Sequence, residues 1–444
     1  MRIFLAGATG VVGRRQALLL RDAEHDVTGT TRDPAKVIRL QALGIDPPIK
    51  FSPTWLEKPE SERTGTGLTY AFAKTDLGMQ MLQEHPDERV QILVEARLKN
   101  KTTIAEKGAE RLVAMAGRGA ATVYLKYSGA SGTHRLSGGD KFNWQSMKRG
   151  SDLRNAVMAP PGHKIVVGDS SNIEARVLDW LAGQEDMVQV YRDSDAGTGP
   201  DMYCVMGERI YGHPINKKDF PDERQFSKVV KLGLGYGMGS KQFVVAVRGQ
   251  AKGKDGKPLV ITQNFSEDVV EIYRNAHPQV KKLWKRCEGA LMSIAKCEVG
   301  VDVDYRGVVK TCKDGLIMPG GLKIVFPEMQ FEKDMVKGWG GEYTFWNGKM
   351  REHIYGSKLA ENIVQCLARI IVLEQCRLAA KELKDIARWA HSVHDEGVFV
   401  APDFYAPYVQ ETLQLHMRVS PVWAPDLPLN SEGGFHQRYG MAKS

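Results

Sequence analysis

The sequence predicts an α+β fold, because extended and helical patterns alternate along the chain after a mostly helical segment at residues 76–118. A strand at HKIVVGD (163–169) precedes a helix at IEARVLDWLAG (173–183), and a long helix covers about 357–388. The following segment, WAHSVHDEGVFVAP, consists of two short apolar runs around a polar tip, which predicts a β-hairpin.

Composition narrows the class of partner without identifying it. The 444 residues carry a net charge of +8 with an isoelectric point near 9.0. Residues 217–257 alone hold ten Lys or Arg against four Asp or Glu. This excess of positive charge fits an anionic partner, although a basic stretch is more often simply a solvated face.

Other sequence features concern the compartment and the end of the chain. No run of 18 apolar residues occurs, so we expect neither a membrane span nor a signal peptide, and we expect a cytoplasmic location. The six cysteines show no C-x-x-C or Cys/His ligand spacing, which predicts free thiols and no zinc site. The tail after Pro428 is polar, and we expect it to be loosely held.

Two short segments place carboxylates where a site could form. Asp169 ends a predicted strand and Glu174 lies at the start of the next helix, although an Asp in this position is also a common helix N-cap. His394, Asp395 and Glu396 lie at the tip of the predicted hairpin, where acidic residues are commonplace. Each segment alone is therefore a weak signal.

A stripe of four residues marks the helix predicted at residues 220–239. Its members are Arg224, Lys228, Leu232 and Tyr236. Each lies four positions after the last, so the stripe drifts only about 40° per step and stays on one helix face. Two cations suit the phosphates of a nucleotide, and an aromatic ring suits its base. The alternative, an amphipathic surface helix, is disfavoured by four alternating glycines, each of which weakens a helix interior by roughly 1 kcal/mol.

Taken in order, the three segments resemble motifs A, B and C of the family A (Pol I-like) DNA polymerases, especially phage-encoded ones. DSSNIEAR (169–176) is similar to the pattern D-Y-S-Q-I-E-L-R, and HDE (394–396) matches H-D-E. RQFSKVVKLGLGYG (224–237) is similar to R-x-x-x-K-x-x-x-[FY]-G-x-x-Y-G, with Leu232 as a departure. THRLSGGDKFNWQ (133–145) and YGSKLAENIVQ (355–365) resemble flanking segments that contact DNA.

The resemblance implies a right-hand polymerase architecture within the α+β class. The implied boundaries are a thumb at 68–128, a palm at 129–184 and 351–444, and fingers at 185–350. It also implies template-directed DNA synthesis with primer-template DNA and dNTPs as partners and two Mg²⁺ ions as cofactors. Accessory proteins are not identified by the sequence.

Individual roles are carried over with the motifs. Asp169 and Asp395 would bind the metal ions, Glu396 would support them, and Lys228 is a candidate proton donor to pyrophosphate. Nucleotide contacts are implied for Ser170, Glu174, Arg224, Lys228, Leu232 and Tyr236. Primer-template contacts are implied for Arg135, Asn143, Gln145, Arg149, Gln365 and His394. Glu174 would crowd the 2′ carbon of the sugar, which favours dNTPs over rNTPs, and Tyr203 stands where many members have a phosphate-binding His.

The first 46 residues predict a separate, short Rossmann-like βαβ fragment. Gly7, Gly10 and Gly13 of GATGVVG lie between a predicted strand and a helix, which resembles the start of NAD(P)-dependent epimerases of the extended short-chain dehydrogenase group. Such a unit continues as βαβαβ, whereas residues 47–67 predict a linker rich in Pro and Gly, so NAD(P) binding is disfavoured.

Two other functions stay open as alternatives, namely an epimerase-type nucleotide-binding protein and a catalytically inactive DNA-binding protein. Ahead of the predicted thumb there is no room for the 3′–5′ exonuclease domain that normally precedes it in the family. We therefore expect DNA synthesis without proofreading.

Overall fold

The computed structural model describes the chain continuously from Ile104 to Lys443, apart from residues 141, 255 and 334–340. Before Ile104 it describes four short strands and some positions between residues 79 and 94. The chain divides into two compact units, Met1–Gly117 and Arg118–Ser444. None of the helices in these described parts is long and apolar enough to cross a bilayer.

The described part of the first unit contains two pairs of short strands and a helix. β1 (Arg2–Ala6) and β2 (Asp26–Thr30) pair in parallel. β3 (Ile49–Phe51) and β4 (Leu68–Tyr70) pair in antiparallel fashion. The helix α1 spans Ile104–Ala116.

The two N-terminal strands agree with the sequence prediction for residues 1–46. The turn with Gly7, Gly10 and Gly13 and the predicted helix after it lie outside the described residues, so the Rossmann-like fragment stays a prediction. β3 lies inside the predicted linker, where a strand was not expected. Three residues are too few for an alternating pattern to show a strand in the sequence.

The second unit combines helices with several small sheets. Its described strands are β5 (Leu125–Lys126), β6 (Ser137–Gly138), β7 (His163–Ser170), β8 (Lys310–Cys312), β9 (Gly315–Ile317), β10 (Lys323–Val325), β11 (Gln330–Lys333), β12 (Gly341–Trp346), β13 (Arg351–Ile354), β14 (Arg388–Val393), β15 (Glu396–Pro402) and β16 (Ser431–His436). Its described α-helices are α2 (Asp152–Asn155), α3 (Ile173–Ala182), α4 (Glu185–Asp195), α5 (Met202–Tyr211), α6 (Pro221–Leu234), α7 (Ser240–Gln250), α8 (Gln263–Ala276), α9 (Pro278–Ala295), α10 (Gly356–Glu382) and α11 (Ala406–Met417).

Four of these strands form an antiparallel sheet in the order β14-β15-β7-β16. Gly168 of the central strand β7 lies between Gly397 and Gly433 on its two neighbours. A Cβ at Gly168 would come within 2.8 Å of the side chains of Leu413 and Met417 on α11. The glycine therefore lets α11 pack directly against the sheet. β8, β9 and β10 form a three-stranded sheet, and β11, β12 and β13 form another.

One large apolar core joins this sheet to four helices. Fully buried members are Val166 of β7, Val177 of α3, Leu291 of α9, Leu367 of α10 and Leu413 of α11. Burying an aliphatic side chain of this size contributes roughly 1.5–3 kcal/mol. A second cluster joins α5, α6, α7 and α8. The first core therefore supports the sheet and α3, and the second supports α6.

The strands and helices predicted near the motifs are confirmed, with corrections to the ends of two helices and to the C-terminal tail. The helix expected to reach residue 239 ends at Leu234, and Gly237 has φ of 78°, which lies outside helical geometry. The helix expected over 357–388 ends at Glu382, ahead of β14. The expectation of a loosely held tail is wrong, because β16 pairs with β7 and the aromatic ring of Tyr439 is buried. The six cysteines are free thiols, as expected.

Candidate active site

Asp169 and Asp395 come together at one end of the four-stranded sheet. Asp169 is the penultimate residue of β7, and Asp395 lies in the two-residue turn between β14 and β15. The backbone N–H of Ser170 donates a 2.9 Å hydrogen bond to the carbonyl oxygen of Asp395, which ties the turn to the end of β7. The strand and the hairpin thus unite two carboxylates that are far apart in the sequence.

The two carboxylates concentrate negative charge at this position. Burial and repulsion by Asp169 raise the pKa of Asp395 to about 6. Lys443 and Arg149 both pair with Asp169, with 3.4 Å between the Arg149 guanidinium and the carboxylate. A carboxylate pair that attracts two cationic side chains fits divalent cations, for which carboxylate oxygens are preferred ligands. Among the described residues no cluster of three or more His, Cys, Asp or Glu is arranged to hold a metal, and the assignment of Asp169 and Asp395 as metal ligands stays a prediction.

Glu396, the third residue of the hairpin motif, belongs to a closed cluster. Its side chain is 3% exposed, and Arg154 donates hydrogen bonds of 3.0 and 3.1 Å to its two carboxylate oxygens. The hydroxyl of Tyr439 donates to the same carboxylate, and the Arg154 guanidinium lies 3.9 Å above the Tyr439 ring. Protein groups therefore neutralise Glu396, and the catalytic role implied for it stays a prediction.

The predicted stripe lies along α6 and the residues that follow it. Arg224 forms a 2.8 Å ion pair with Asp201. Both stripe cations lie near the ring of Tyr203, with Arg224 at 5.4 Å and Lys228 at 5.9 Å from its centroid. Leu232, one turn further on, is 36% exposed. The stripe thus presents its cationic end around an aromatic ring and leaves Leu232 accessible.

Lys228 is the member of the stripe that the carboxylates influence electrostatically. Partial desolvation lowers the pKa of Lys228, and the positive charges of Arg149 and Arg224 lower it further. The charges of Asp169 and Asp395 act on that pKa in the opposite direction. Lys228 therefore lies within electrostatic reach of both sides of the candidate site.

Glu174 connects the start of α3 to the segment after α6. The Tyr236 hydroxyl donates a 3.3 Å hydrogen bond to Oε2 of Glu174, and Arg135 forms an ion pair with Oε1. Burial raises the pKa of Tyr236, which keeps its hydroxyl protonated as the donor in this contact. Both carboxylate oxygens of Glu174 are therefore held in place by residues from other elements.

The residues expected to contact DNA occupy both accessible and internal positions. Asn143 and Arg149 are exposed, and His394 is exposed at the hairpin turn with φ of 51°. Gln145 is buried, and its amide donates to the carbonyl oxygen of Ser392 at 2.5 Å and accepts from the backbone N–H of His394 at 3.0 Å. Gln145 therefore holds the hairpin, and its contact with DNA stays a prediction.

Two further residues with predicted contacts are turned toward the protein. Gln365 is half-buried on α10 and donates a 3.2 Å hydrogen bond to Glu361. Ser170 is 1% exposed, and its hydroxyl has no hydrogen-bond partner within the described chain. The nucleotide contact implied for Ser170 therefore stays a prediction.

Sequence reasoning missed three cationic or aromatic residues around the carboxylates. Arg154 comes from the short helix α2, and Tyr439 and Lys443 come from the end of the chain. No short-range spacing links these positions to Asp169 or Glu396, because the contacts arise only when the sheet forms. The aromatic residues in the otherwise polar tail were the signal that could have indicated its docking.

Comparison with known proteins defines the class. The sequence pattern described as DNA polymerase family A matches residues 54–293, which is more than half of the chain. The chain therefore belongs to DNA polymerase family A.

Relatives and a solved structure extend this result. The chain is 27% identical over 293 residues to the DNA polymerase of Bacillus phage SP02, an alignment that covers 63% of this chain and 42% of that protein. It is 26% identical over 236 residues to the DNA polymerase of Escherichia phage T5, covering 50% of this chain and 26% of that protein. The chain thus spans less than half the length of either relative.

The fold is similar to the POL domain of Pol1 from M. smegmatis, solved in complex with DNA primer-template and dNTP. The TM-score is 0.63 at 17% sequence identity, and the match covers 97% of this chain and 65% of that one. This similarity confirms the expected polymerase fold. The boundaries of thumb, palm and fingers stay predictions.

Proposed function

We propose that the chain is a template-directed DNA polymerase that adds dNTPs to the 3′-hydroxyl of a primer, with two Mg²⁺ ions as cofactors. The observation that carries this proposal is the meeting of Asp169 and Asp395 at one end of the sheet, within electrostatic reach of Lys228. Membership of DNA polymerase family A supports the same reaction.

The carboxylates and the stripe would divide the work of binding. Asp169 and Asp395 supply the oxygen ligands for cations, which explains why two carboxyls are kept close in spite of their repulsion. Divalent cations, when bound there, supply positive charge that activates the primer hydroxyl and neutralises the triphosphate. Arg224 and Lys228 bind the phosphates through charge-assisted hydrogen bonds.

Lys228 also suits the proton transfer that completes the reaction. The primer hydroxyl gives its proton to water and its oxygen forms a bond to the α-phosphorus, as the bond from that phosphorus to pyrophosphate breaks. The leaving oxygen of pyrophosphate then gains a proton. An ammonium group with a lowered pKa is a stronger acid than an ordinary lysine. Lys228 therefore acts as the proton donor to pyrophosphate in this proposal.

Selection of deoxyribonucleotides would depend on Glu174. Its carboxylate is fixed by Arg135 and Tyr236, so it cannot turn aside without breaking both contacts. A rigid side chain next to the 2′ carbon of the incoming sugar excludes a hydroxyl there by steric conflict. Leu232, exposed on the stripe, lies beside the same sugar in this proposal.

Primer extension on a primed single strand tests the function directly. With Mg²⁺ present, we expect template-directed addition of dNTPs and much slower addition of rNTPs offered in parallel. Binding of the primer-template without any extension would instead identify a DNA-binding protein that lacks catalysis. Micromolar NADPH binding in a calorimetric titration, without extension, would favour the epimerase-type alternative.

A further inference from the structure

A buried ion pair lies between α3 and α6, apart from the carboxylates of the candidate site. The side chains of Lys231 and Asp179 are both 0% exposed, and Nζ lies 2.9 Å from Oδ1 and 2.8 Å from Oδ2. The polymerase motifs assign no role to either residue. Lys and Asp are almost never fully buried unless they are paired, so the position of this pair is under strong physical constraint.

Two more side chains complete the hydrogen bonding of the pair. The Tyr191 hydroxyl donates to Oδ2 of Asp179 at 2.7 Å. Nζ of Lys231 lies 2.8 Å from Nε2 of His277, whose Nδ1 lies 2.9 Å from the carbonyl oxygen of Tyr273. Because a carbonyl can only accept, Nδ1 carries the ring proton and Nε2 accepts from Lys231. We call Lys231, Asp179, Tyr191 and His277 the buried lysine cluster.

Stability alone does not account for this cluster. Burial raises the pKa of Asp179 and lowers the pKa of Lys231, whereas their mutual attraction opposes both shifts. Replacing a buried ion pair with apolar residues of similar volume is often neutral or even stabilising. An ion pair supplies direction, however, because its hydrogen bonds are made only when the two elements lie in one relative position.

The cluster joins the same two segments as the contact between Glu174 and Tyr236. Asp179 follows Glu174 by five residues, and Lys231 precedes Tyr236 by five residues. At 1.5 Å per residue, the two contacts lie about 7.5 Å apart along the axis of α3. The partners run in opposite order along the two segments, so one contact fixes one end of the interface and the second fixes the other end.

Between these two contacts the segments approach closely at Gly235. A Cβ at Gly235 would come 2.9 Å from the side chain of Leu178 on α3 and 3.0 Å from the carbonyl oxygen of Lys231. Close packing of this kind leaves no room for α6 to move toward α3, and the buried lysine cluster holds it against moving away. The spacing is therefore restrained in both directions.

We propose that the buried lysine cluster positions α6 against α3 and thereby sets how strongly Glu174 and Tyr236 discriminate against ribonucleotides. The inference rests on the proposed polymerase function. The four residues of the buried lysine cluster are positioning residues, because they act on the nucleotide through Glu174 and Tyr236. A displacement of about 1 Å at a reacting centre can change a rate by about a hundredfold, so a small shift of α6 is enough to alter selection.

The decisive variant is Lys231→Met combined with Asp179→Val, which removes both charges and keeps the combined volume similar. We expect the ratio of kcat/KM for a dNTP to that for the matching rNTP to fall by about tenfold or more. The variant should still unfold cooperatively, because neither buried charge is left without its partner. Single substitutions are unsuitable, since each leaves one charge buried alone.

Tyr191→Phe provides a second variant that preserves packing. It removes one hydroxyl from the cluster, and we expect the same selectivity ratio to fall by about threefold, as for loss of a single hydrogen bond. Val409→Ala is the matched control, because Val409 is fully buried on α11 in the other core and lies outside both α6 and the buried lysine cluster. The control should lower the melting temperature and leave the ratio unchanged.

The outcomes separate this inference from the proposed function. Absence of dNTP extension by the unsubstituted chain would refute the polymerase function itself. Normal extension with an unchanged selectivity ratio in Tyr191→Phe and in the folded apolar pair would overturn the positioning role alone. If the apolar pair does not unfold cooperatively, the selectivity ratio of Tyr191→Phe, compared with that of Val409→Ala, decides the question.

Discussion

Two groups of charged residues at the same end of the sheet have opposite electrostatic surroundings. In the closed cluster, Glu396 is neutralised by Arg154 and Tyr439 and is almost entirely excluded from solvent. In the open pair, Asp169 and Asp395 repel each other, and the pKa of Asp395 is raised to about 6. The closed cluster balances its buried acid with a guanidinium and a hydroxyl, whereas in the open pair Lys443 and Arg149 contact only Asp169, and the two carboxylates still repel each other.

The difference shows how adjacent residues of one hairpin can have different roles. Asp395 and Glu396 follow each other in the sequence, yet the start of β15 turns Glu396 toward Arg154 and leaves Asp395 in the turn. A buried acid with full compensation stabilises the position of the hairpin. An acid whose charge is not fully compensated by the protein is available as a ligand. Substitutions in the two groups should therefore have different effects.

The largest expected effect is on catalysis at the open pair. Asp169→Asn and Asp395→Asn should each slow nucleotide addition by about a thousandfold or more, because loss of a metal ligand removes several kcal/mol of transition-state stabilisation. DNA affinity, measured by fluorescence anisotropy at fixed salt, should change little, since phosphate contacts dominate it. Extension by either variant within about tenfold of the unsubstituted chain would exclude the metal-ligand assignment.

The second largest effect is on stability at the closed cluster. Arg154→Met leaves the Glu396 carboxylate buried without its cation and should lower the free energy of unfolding by about 3–5 kcal/mol. Adding Glu396→Gln should recover part of that loss. The control is Arg377→Met, because Arg377 is 57% exposed in its pair with Glu374. The control should change stability by at most about 1 kcal/mol.

Urea denaturation followed by tryptophan fluorescence measures these differences. An Arg154→Met variant as stable as the Arg377→Met control would show that the cluster does not hold the hairpin. A fully stable Glu396→Gln variant with greatly reduced primer extension would instead restore the catalytic role that the sequence implied for Glu396.

The contrast between the two groups also explains what the sequence could and could not predict. Local patterns placed Asp169 at the end of a strand and Asp395 in a hairpin turn, and the resemblance to the polymerase motifs implied that the two would meet. The closed cluster needs Arg154 and Tyr439 beside Glu396, and those contacts depend on how α2 and the tail pack against the sheet. Polar composition of the tail concealed this packing, because a few aromatic contacts outweigh many exposed polar residues.

The same limit applies to the buried lysine cluster. Lys231 is one of several lysines in a basic stretch, and nothing in its spacing distinguishes it from the exposed ones. Its burial results from the packing of α6 against α3 and α8, which a pattern on one helix does not reveal. The stripe from Arg224 to Tyr236 was recognisable because its four members lie on one helix.

A smaller effect concerns the stability of the open pair itself. The pKa of Asp395 rises from an ordinary 3.8 to about 6 on folding, so the folded state binds a proton more tightly than the unfolded state. Its contribution to stability is present below about pH 4 and is lost as the pH rises through about 6. Asp395→Asn removes the carboxyl group, so no stability is lost by its ionisation at high pH. The substitution should raise the free energy of unfolding at pH 8 by about 1 kcal/mol or more.

Denaturation of Asp395→Asn and the unsubstituted chain in metal-free buffer at several pH values provides the measurement. The stability difference should grow between pH 4 and pH 6 and level off above that range. An inactive variant that is more stable than the active chain would show that the open pair is maintained at a cost to the fold. A stability difference that does not depend on pH would contradict the raised pKa of Asp395.

The smallest expected effect involves Lys443, which pairs with Asp169 and lies 3.6 Å from Glu432. Its ammonium group competes with divalent cations for the Asp169 carboxylate, so Lys443→Ala should lower the Mg²⁺ concentration needed for half-saturation. A partly exposed ion pair contributes about 0.2–1 kcal/mol, which corresponds to a change of up to about fivefold. The rise in melting temperature with Mg²⁺ concentration measures the half-saturating concentration without reference to activity.

The control is Lys313→Ala, because Lys313 is an exposed lysine on the turn between β8 and β9. It removes the same charge elsewhere and should leave the half-saturating concentration unchanged. An equal shift in both variants would mean that only net charge matters, and that the open pair gains nothing from the contact with Lys443.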